Sequence, residues 1–186
     1  MKKSRMTGRF SATFAALALT AGLGLAGGPP ASAAYCGIMW GSTVKAAPTY
    51  SSASITDVRS GRHECFDRLA IDARGPVAGY RVAYVDRVAS PGSGATVPLR
   101  GGARLSVTVL APAYDDAGRA TYSPRHRSEL VDVTGYSTFR QVALAGSYEG
   151  QTTFGLGVRA RLPIRVTVLP GPGAGSRVVI DVARFW

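Results

Sequence analysis

An all-β fold is predicted, an antiparallel β-sandwich or open barrel of about eight strands. Two observations carry it. Apolar residues recur with period two from residue 55 onward, and Gly/Pro-rich turns separate the runs. A third excludes the alternatives: no amphipathic stretch of three or more helical turns is present. Strands with one apolar and one polar face, joined by short connections, pack as antiparallel sheets face to face.

The N-terminus is set aside first. Lys2, Lys3, Arg5 and Arg9 precede an uncharged apolar run, Phe10 to Gly28. Pro29-Pro30 ends that run, and Ala31-Ser32-Ala33 follows as a small-x-small site. This is the layout of a secretory signal peptide over residues 1–33, read as cleaved after Ala33 rather than kept as a membrane anchor. The bulky Tyr35 before Cys36 argues against lipidation.

The remaining 153 residues make one domain and hold 18 basic and 11 acidic residues, a net charge of +7. Lys45 is their only lysine, and the chain has no asparagine. GC-rich coding produces the same bias, so arginine number alone assigns no function. A basic exported domain attracts anionic partners. No aromatic-basic nucleic-acid motif is present, so acidic wall polymers or phospholipid head groups are expected and nucleic acid is not.

Residues 34–54 lack periodicity and read as a lead-in segment. Cys36 and Cys65 are the only cysteines. In an oxidising compartment the pair is expected as a disulfide, tying the lead-in to the domain that follows, residues 55–186. A metal site from Cys36, His63, Cys65 and His126 lacks the paired spacing of zinc sites. No metal or cofactor is expected. Trp40 is read as covering an apolar patch, with an exposed stacking residue as the alternative.

Leu69, Ile71 and Ala73 share one strand face, and Arg68 and Asp72 the other. After the Gly75-Pro76 turn, Tyr80, Val82 and Tyr84 alternate with Arg81 and Ala83. Leu105, Val107 and Val109 mark the next strand, and Val142 and Leu144 a short one. Phe154, Leu156 and Val158 alternate with Gly155 and Gly157. Ile164, Val166 and Val168 alternate with Arg165 and Thr167, and Val178, Ile180 and Val182 with Arg177 and Asp181. Asp67 shares parity with Leu69, so its carboxylate is expected at the core rim or buried and paired, as a structural ion pair with Arg62 or Arg59. Arg68 and Asp181 are also read as structural ion-pair residues, Asp181 pairing across to an arginine.

One connection is anomalous. Residues 111–137 exceed ordinary loop length and concentrate Tyr114, Tyr122, Arg125, His126, Arg127 and Tyr136. Aromatics beside arginines can stack on sugars and bind carboxylates or phosphates, which makes these six candidate ligand-binding residues. A solvated flap with a helical turn near 128–132 is the other reading.

No catalytic constellation is visible. There is no G-x-S-x-G elbow, Walker loop or dinucleotide fingerprint. Asp115 and Asp116 are adjacent, so they are not the spaced carboxylates that glycosidases use. Two histidines supply too few ligands for a zinc hydrolase without carboxylate help.

The stretches Phe66-Asp67-Arg68-Leu69-Ala70-Ile71-Asp72 and Gly79-Tyr80-Arg81-Val82-Ala83-Tyr84-Val85 resemble the AMIN-like family of exported bacterial β-domains. So do Glu149-Gly150-Gln151-Thr152-Thr153-Phe154-Gly155-Leu156-Gly157, Ile164 to Leu169, and Arg177 to Val182. The resemblance spans about 55–183. It implies a two-sheet sandwich related to the AMIN domains of cell-wall amidases and secretin components. It also implies a non-catalytic role, binding peptidoglycan or another anionic wall polymer. A protein-interaction module that assembles with an envelope enzyme is the alternative, and a hydrolase of unrecognised type the third.

Overall fold

The computed structural model describes residues 34–171 and 173–186. The expected signal peptide, residues 1–33, lies outside the described residues. In chain order the strands are β1 (Ala34–Tyr35), β2 (Ile38–Met39), β3 (Lys45–Ala47), β4 (Ser54–Arg62), β5 (Phe66–Arg74) and β6 (Tyr80–Val85). Then come β7 (Val88–Ala89), β8 (Thr96–Val97), β9 (Ala103–Val109), β10 (Phe139–Tyr148), β11 (Gln151–Val158), β12 (Ile164–Pro170) and β13 (Ser176–Ala183). Among the described residues there is no helix.

Nine strands build the sandwich. One sheet runs β10-β11-β9-β6-β3 and the other β12-β13-β5-β4, every pairing antiparallel. The core lies where their apolar faces meet. Leu69 and Ile71 from β5 and Val178, Ile180 and Val182 from β13 pack against Leu105 and Val107 from β9 and Phe154 and Leu156 from β11. These are the period-two positions of the sequence, and all nine are fully buried.

The glycines of β11 follow from what lies over it. A Cβ at Gly155 would meet the Leu99 side chain at 2.7 Å, and one at Gly157 would collide with the Arg100 carbonyl. The segment before β9 therefore lies directly on the outer face of this strand. Glu149 and Gly150 both have positive φ, 47° and 75°. They form a two-residue hairpin of the kind whose twist matches its flanking strands.

Two local expectations are corrected and one is extended. The strand expected around Val142 and Leu144 is ten residues long. Its length was hidden because Ala143 and Ala145 are buried as well, in a small second core with Val88 and Leu99, which blurs the alternation. The lead-in, which lacks periodicity in sequence, contributes short strands: β3 joins the edge of the five-stranded sheet through β6, and β1 pairs with β2. The 128–132 segment forms no helical turn; a single bond from Glu129 N–H to the His126 carbonyl, 3.3 Å, marks a turn there.

The long connection 111–137 runs along the side of the sandwich and caps two sheet edges. At β4, the Ile55 N–H donates to the Pro112 carbonyl (2.8 Å) and the Thr121 hydroxyl to the Ile55 carbonyl (2.7 Å). At β10, Leu130 N–H reaches the Val142 carbonyl (2.8 Å) and Leu144 N–H the Arg127 carbonyl (2.7 Å). Covering an edge in this way satisfies its backbone groups and blocks edge-to-edge association.

Candidate functional site

Cys36 and Cys65 form a disulfide with Cα atoms 6.3 Å apart. It holds the lead-in against one end of the four-stranded sheet, where Trp40, 2% exposed, packs with Phe66 and Ala183. The Trp40 indole donates to the Tyr35 carbonyl, 2.9 Å. Trp40 is thus a cover, and both halves of its amphipathic ring are used.

The six candidate residues of the 111–137 connection do not converge. The Tyr114 hydroxyl accepts from Gly150 N–H at 3.1 Å. Tyr122 packs toward Phe154, with ring centroids 6.5 Å apart, and its hydroxyl is pushed up to about 12, mainly by burial. Tyr136 stacks on Phe139 at 5.7 Å and its hydroxyl bonds the Ser60 hydroxyl at 2.9 Å. Arg125, His126 and Arg127 are exposed. Tyr122 and Arg127 line one shallow cleft of about 370 Å³ with Tyr148, and Tyr136 lines another of about 340 Å³ with Arg100 and Arg140. The tyrosines are thus largely engaged in fastening the connection to the sandwich.

The ion pair expected at Asp67 is not formed. This carboxylate is fully buried, and its Oδ2 accepts from Thr138 N–H (2.5 Å), the Thr138 hydroxyl (2.9 Å) and Phe139 N–H (3.4 Å). Arg59 lies on the opposite face with Asp72, and Arg62, although it stands opposite Asp67 in register, is exposed and donates to the Gly135 carbonyl at 3.2 Å instead. Asp67 therefore anchors the end of the 111–137 connection where β10 begins.

A different cluster forms on the outer face of the four-stranded sheet. Asp181 of β13 lies in register with Arg68 of β5 on one side and Arg165 of β12 on the other. Arg68 donates from Nε and Nη2 to both carboxylate oxygens, at 2.7 and 2.9 Å. Arg165 donates from Nε and Nη2 to Oδ2, at 3.1 and 2.6 Å. Asp181 is fully buried beneath guanidinium groups that are themselves about 30% exposed. The guanidiniums also lie against aromatic rings, Arg68 over Phe66 at 5.1 Å and Arg165 over Trp40 at 5.7 Å.

The same motif recurs further along the sheet. Asp72 of β5 lies in register with Arg177 of β13, and Arg59 of β4 reaches it from the other side. Arg59 donates from Nε and Nη2 at 2.6 and 2.9 Å. Arg177 is different. Its Nε is buried, 3.7 Å from the Asp72 carboxylate, and has no hydrogen-bond acceptor. The pKa values of Arg68 and Arg59 are both raised, in each case chiefly by the hydrogen bond to the central aspartate. The Asp181 triad carries two positive charges and one negative and presents a net positive charge outward, whereas Arg59 also lies 3.9 Å from the Asp57 carboxylate, so around Asp72 two arginines face two aspartates.

Sequence alternation placed Arg68, Asp72, Arg165, Arg177 and Asp181 on polar faces, but it did not show Arg59 and Arg177 sharing Asp72. That sharing is set by strand register across a separation of over a hundred residues. A strand-by-strand list of outward Arg and Asp positions was the only available signal.

The geometry defines a two-sheet β-sandwich with an arginine-studded outer face and a fastened N-terminal segment. The AMIN-like domain model matches residues 53–184, and the chain belongs to that family. No curated protein and no solved structure matches the sequence.

Proposed function

We propose that this is a secreted, non-catalytic module that binds cell-envelope material, with peptidoglycan or another acidic wall polymer as its ligand. The observation that carries this reading is the pair of arginine–aspartate triads on the open face of the four-stranded sheet. Guanidinium donors left over from each triad suit carboxylates and phosphates, which they bind through paired, charge-assisted hydrogen bonds. Membership of a family associated with the cell envelope, the disulfide, and the net charge of +7 expected after signal removal support the same reading. Co-sedimentation with purified peptidoglycan tests it. Retention at moderate salt is expected, and a protein left in the supernatant under those conditions overturns the proposal.

A second reading, a module that assembles with an envelope enzyme, is favoured by β12. Among the described residues this strand pairs only with β13, and only its first residue is met from the other side, by the reciprocal bonds of Ile164 with Gly41. The rest of the edge, with Val168 and Leu169 exposed, suits an added strand from a partner. Cross-linking in cells separates the two: this reading predicts one defined protein adduct through β12 and no sedimentation with the wall.

A further inference from the structure

The inference here rests on the envelope-binding reading and sharpens its site and ligand. Two grooves cross the outer face of the four-stranded sheet. The larger, about 650 Å³, runs past Arg74 and Ser176 and past the carboxylates of Asp57 and Asp72, and the smaller, about 170 Å³, past Arg68, Ala70 and Val179. Arg59 and Arg177 line both, so they stand where the two grooves meet. The floor of the smaller groove is low. Ala70 and Val179 are small, buried side chains, and Gly61 has none, so a ligand chain can lie close to the backbone.

The two triads sit at fixed positions along this path. Arg68 and Asp72 are four residues apart on β5, which separates the triad centres by about 13 Å. Arg177 adds the polar vacancy. A buried N–H with no acceptor is uncommon in a folded protein; among the described residues the Arg177 Nε has none, and the remainder of this side chain, 28% exposed, lines both grooves. Among the described residues no aromatic side chain lines either groove, which offers stacking bases no platform there.

We propose that the outer face of the four-stranded sheet is a two-subsite cradle for a linear polyanion that carries carboxylates or phosphodiesters along an unbranched, base-free chain. Arg59 and Arg177 form one subsite and Arg68 and Arg165 the other, with the ligand backbone lying over Gly61, Ala70 and Val179. A single, partly exposed subsite whose arginines are already partly compensated by aspartates binds a small anion weakly. Linking two anions at matching spacing makes the second contact intramolecular and multiplies the affinity.

The experiment titrates the full chain with poly-glutamate and with long-chain polyphosphate at 0.1 M salt. Inorganic phosphate, acetate and oligothymidylate are run beside them. The polymers are expected to bind at least about a hundredfold tighter than the monomeric anions. The stronger of the two polymers identifies carboxylate or phosphate as the preferred group. Arg177→Gln is expected to weaken polymer binding by about tenfold, the loss of one charged hydrogen-bonding group. Arg177→Lys is expected to recover part of that loss. The Arg81→Gln/Arg87→Gln variant removes two charges from outside the grooves and is expected to change affinity less than twofold. Equal weakening by that variant, polymers no tighter than phosphate, or oligothymidylate as tight as polyphosphate would each overturn the cradle. Thermal melting of Arg177→Gln at the wild-type temperature shows that its loss is not unfolding. If it melts lower, Arg59→Gln read at a temperature where both are folded takes its place. Wall sedimentation that survives Arg177→Gln unchanged sinks the cradle alone. Polymer binding without wall sedimentation sinks the wall reading alone.

Discussion

Asp181 illustrates how a single residue is held in place by its partners. A fully buried carboxylate is tolerated here because four guanidinium N–H groups point at it. Removing the negative charge leaves two arginines facing each other without compensation. Asp181→Asn is expected to lower stability by about 2–4 kcal/mol, read as a drop in the denaturant midpoint with an unchanged slope. Tyr84 is a second such residue. Its hydroxyl donates to the Leu162 carbonyl at 2.7 Å and accepts from the Leu162 N–H at 2.9 Å, clamping the turn before β12 to β6. Burial pushes this hydroxyl up to about 12. In the unfolded chain it ionises near pH 10, so the protonated hydroxyl favours the folded state. Its contribution, roughly 2–3 kcal/mol, is complete below pH 10 and is lost as pH rises through 12. Tyr84→Phe is expected to destabilise by about 1–2 kcal/mol at neutral pH. It should also remove its own part of the stability change between pH 10 and 12, leaving the part due to Tyr122, whose hydroxyl is likewise pushed up to about 12.

Among the elements, the lead-in and the 111–137 connection behave differently. The lead-in is held by the Cys36–Cys65 bond and by Trp40 over Phe66. Closing a loop of 29 residues stabilises by about 3–4 kcal/mol on the chain-entropy model. Cys36→Ser/Cys65→Ser is expected to lose about that much and to shift Trp40 emission to longer wavelength as the ring meets water, while the core strands keep their far-ultraviolet signature. The 111–137 connection is fastened by its apolar and tyrosine side chains. Val133→Ala removes a buried contact and is expected to cost about 1–3 kcal/mol. Replacing the exposed Arg125 and His126 with alanine is expected to change stability by less than about 0.5 kcal/mol. Comparing the two melting curves decides whether this connection is a fastening or a free flap.

At the scale of the whole molecule, the charge distribution matters more than the total. An expected net +7 attracts any polyanion at low salt, and that attraction fades as the screening length shortens. Wall retention that depends on the triads is expected to persist to higher salt than retention of a variant lacking Arg59 and Arg177. Sedimentation from 0.05 to 0.5 M salt checks this, and superimposable curves would assign retention to net charge.

What could be read from residues alone was whatever depends on neighbours along the chain. Side-chain parity is local, so the inward faces of β5, β9, β11, β12 and β13 and the polar positions of Arg68, Asp72, Arg165, Arg177 and Asp181 were legible. The two cysteines sufficed for the disulfide because no other pairing exists within the chain. β10 was legible only in part, because a strand buried on both faces loses its alternation. The tertiary structure decided everything that depends on register. It turned Asp67 toward Thr138 instead of an arginine and spread the six loop candidates over separate places. It also brought Arg59 and Arg177 to one carboxylate, and Arg68 and Arg165 to another. A strand carries the face of each of its residues in its own pattern, but which residue stands opposite is set by the packing of two whole sheets. The sequence alone determined a disulfide-tied β-sandwich with arginines on its polar faces; only the packing of the sheets made those arginines a surface.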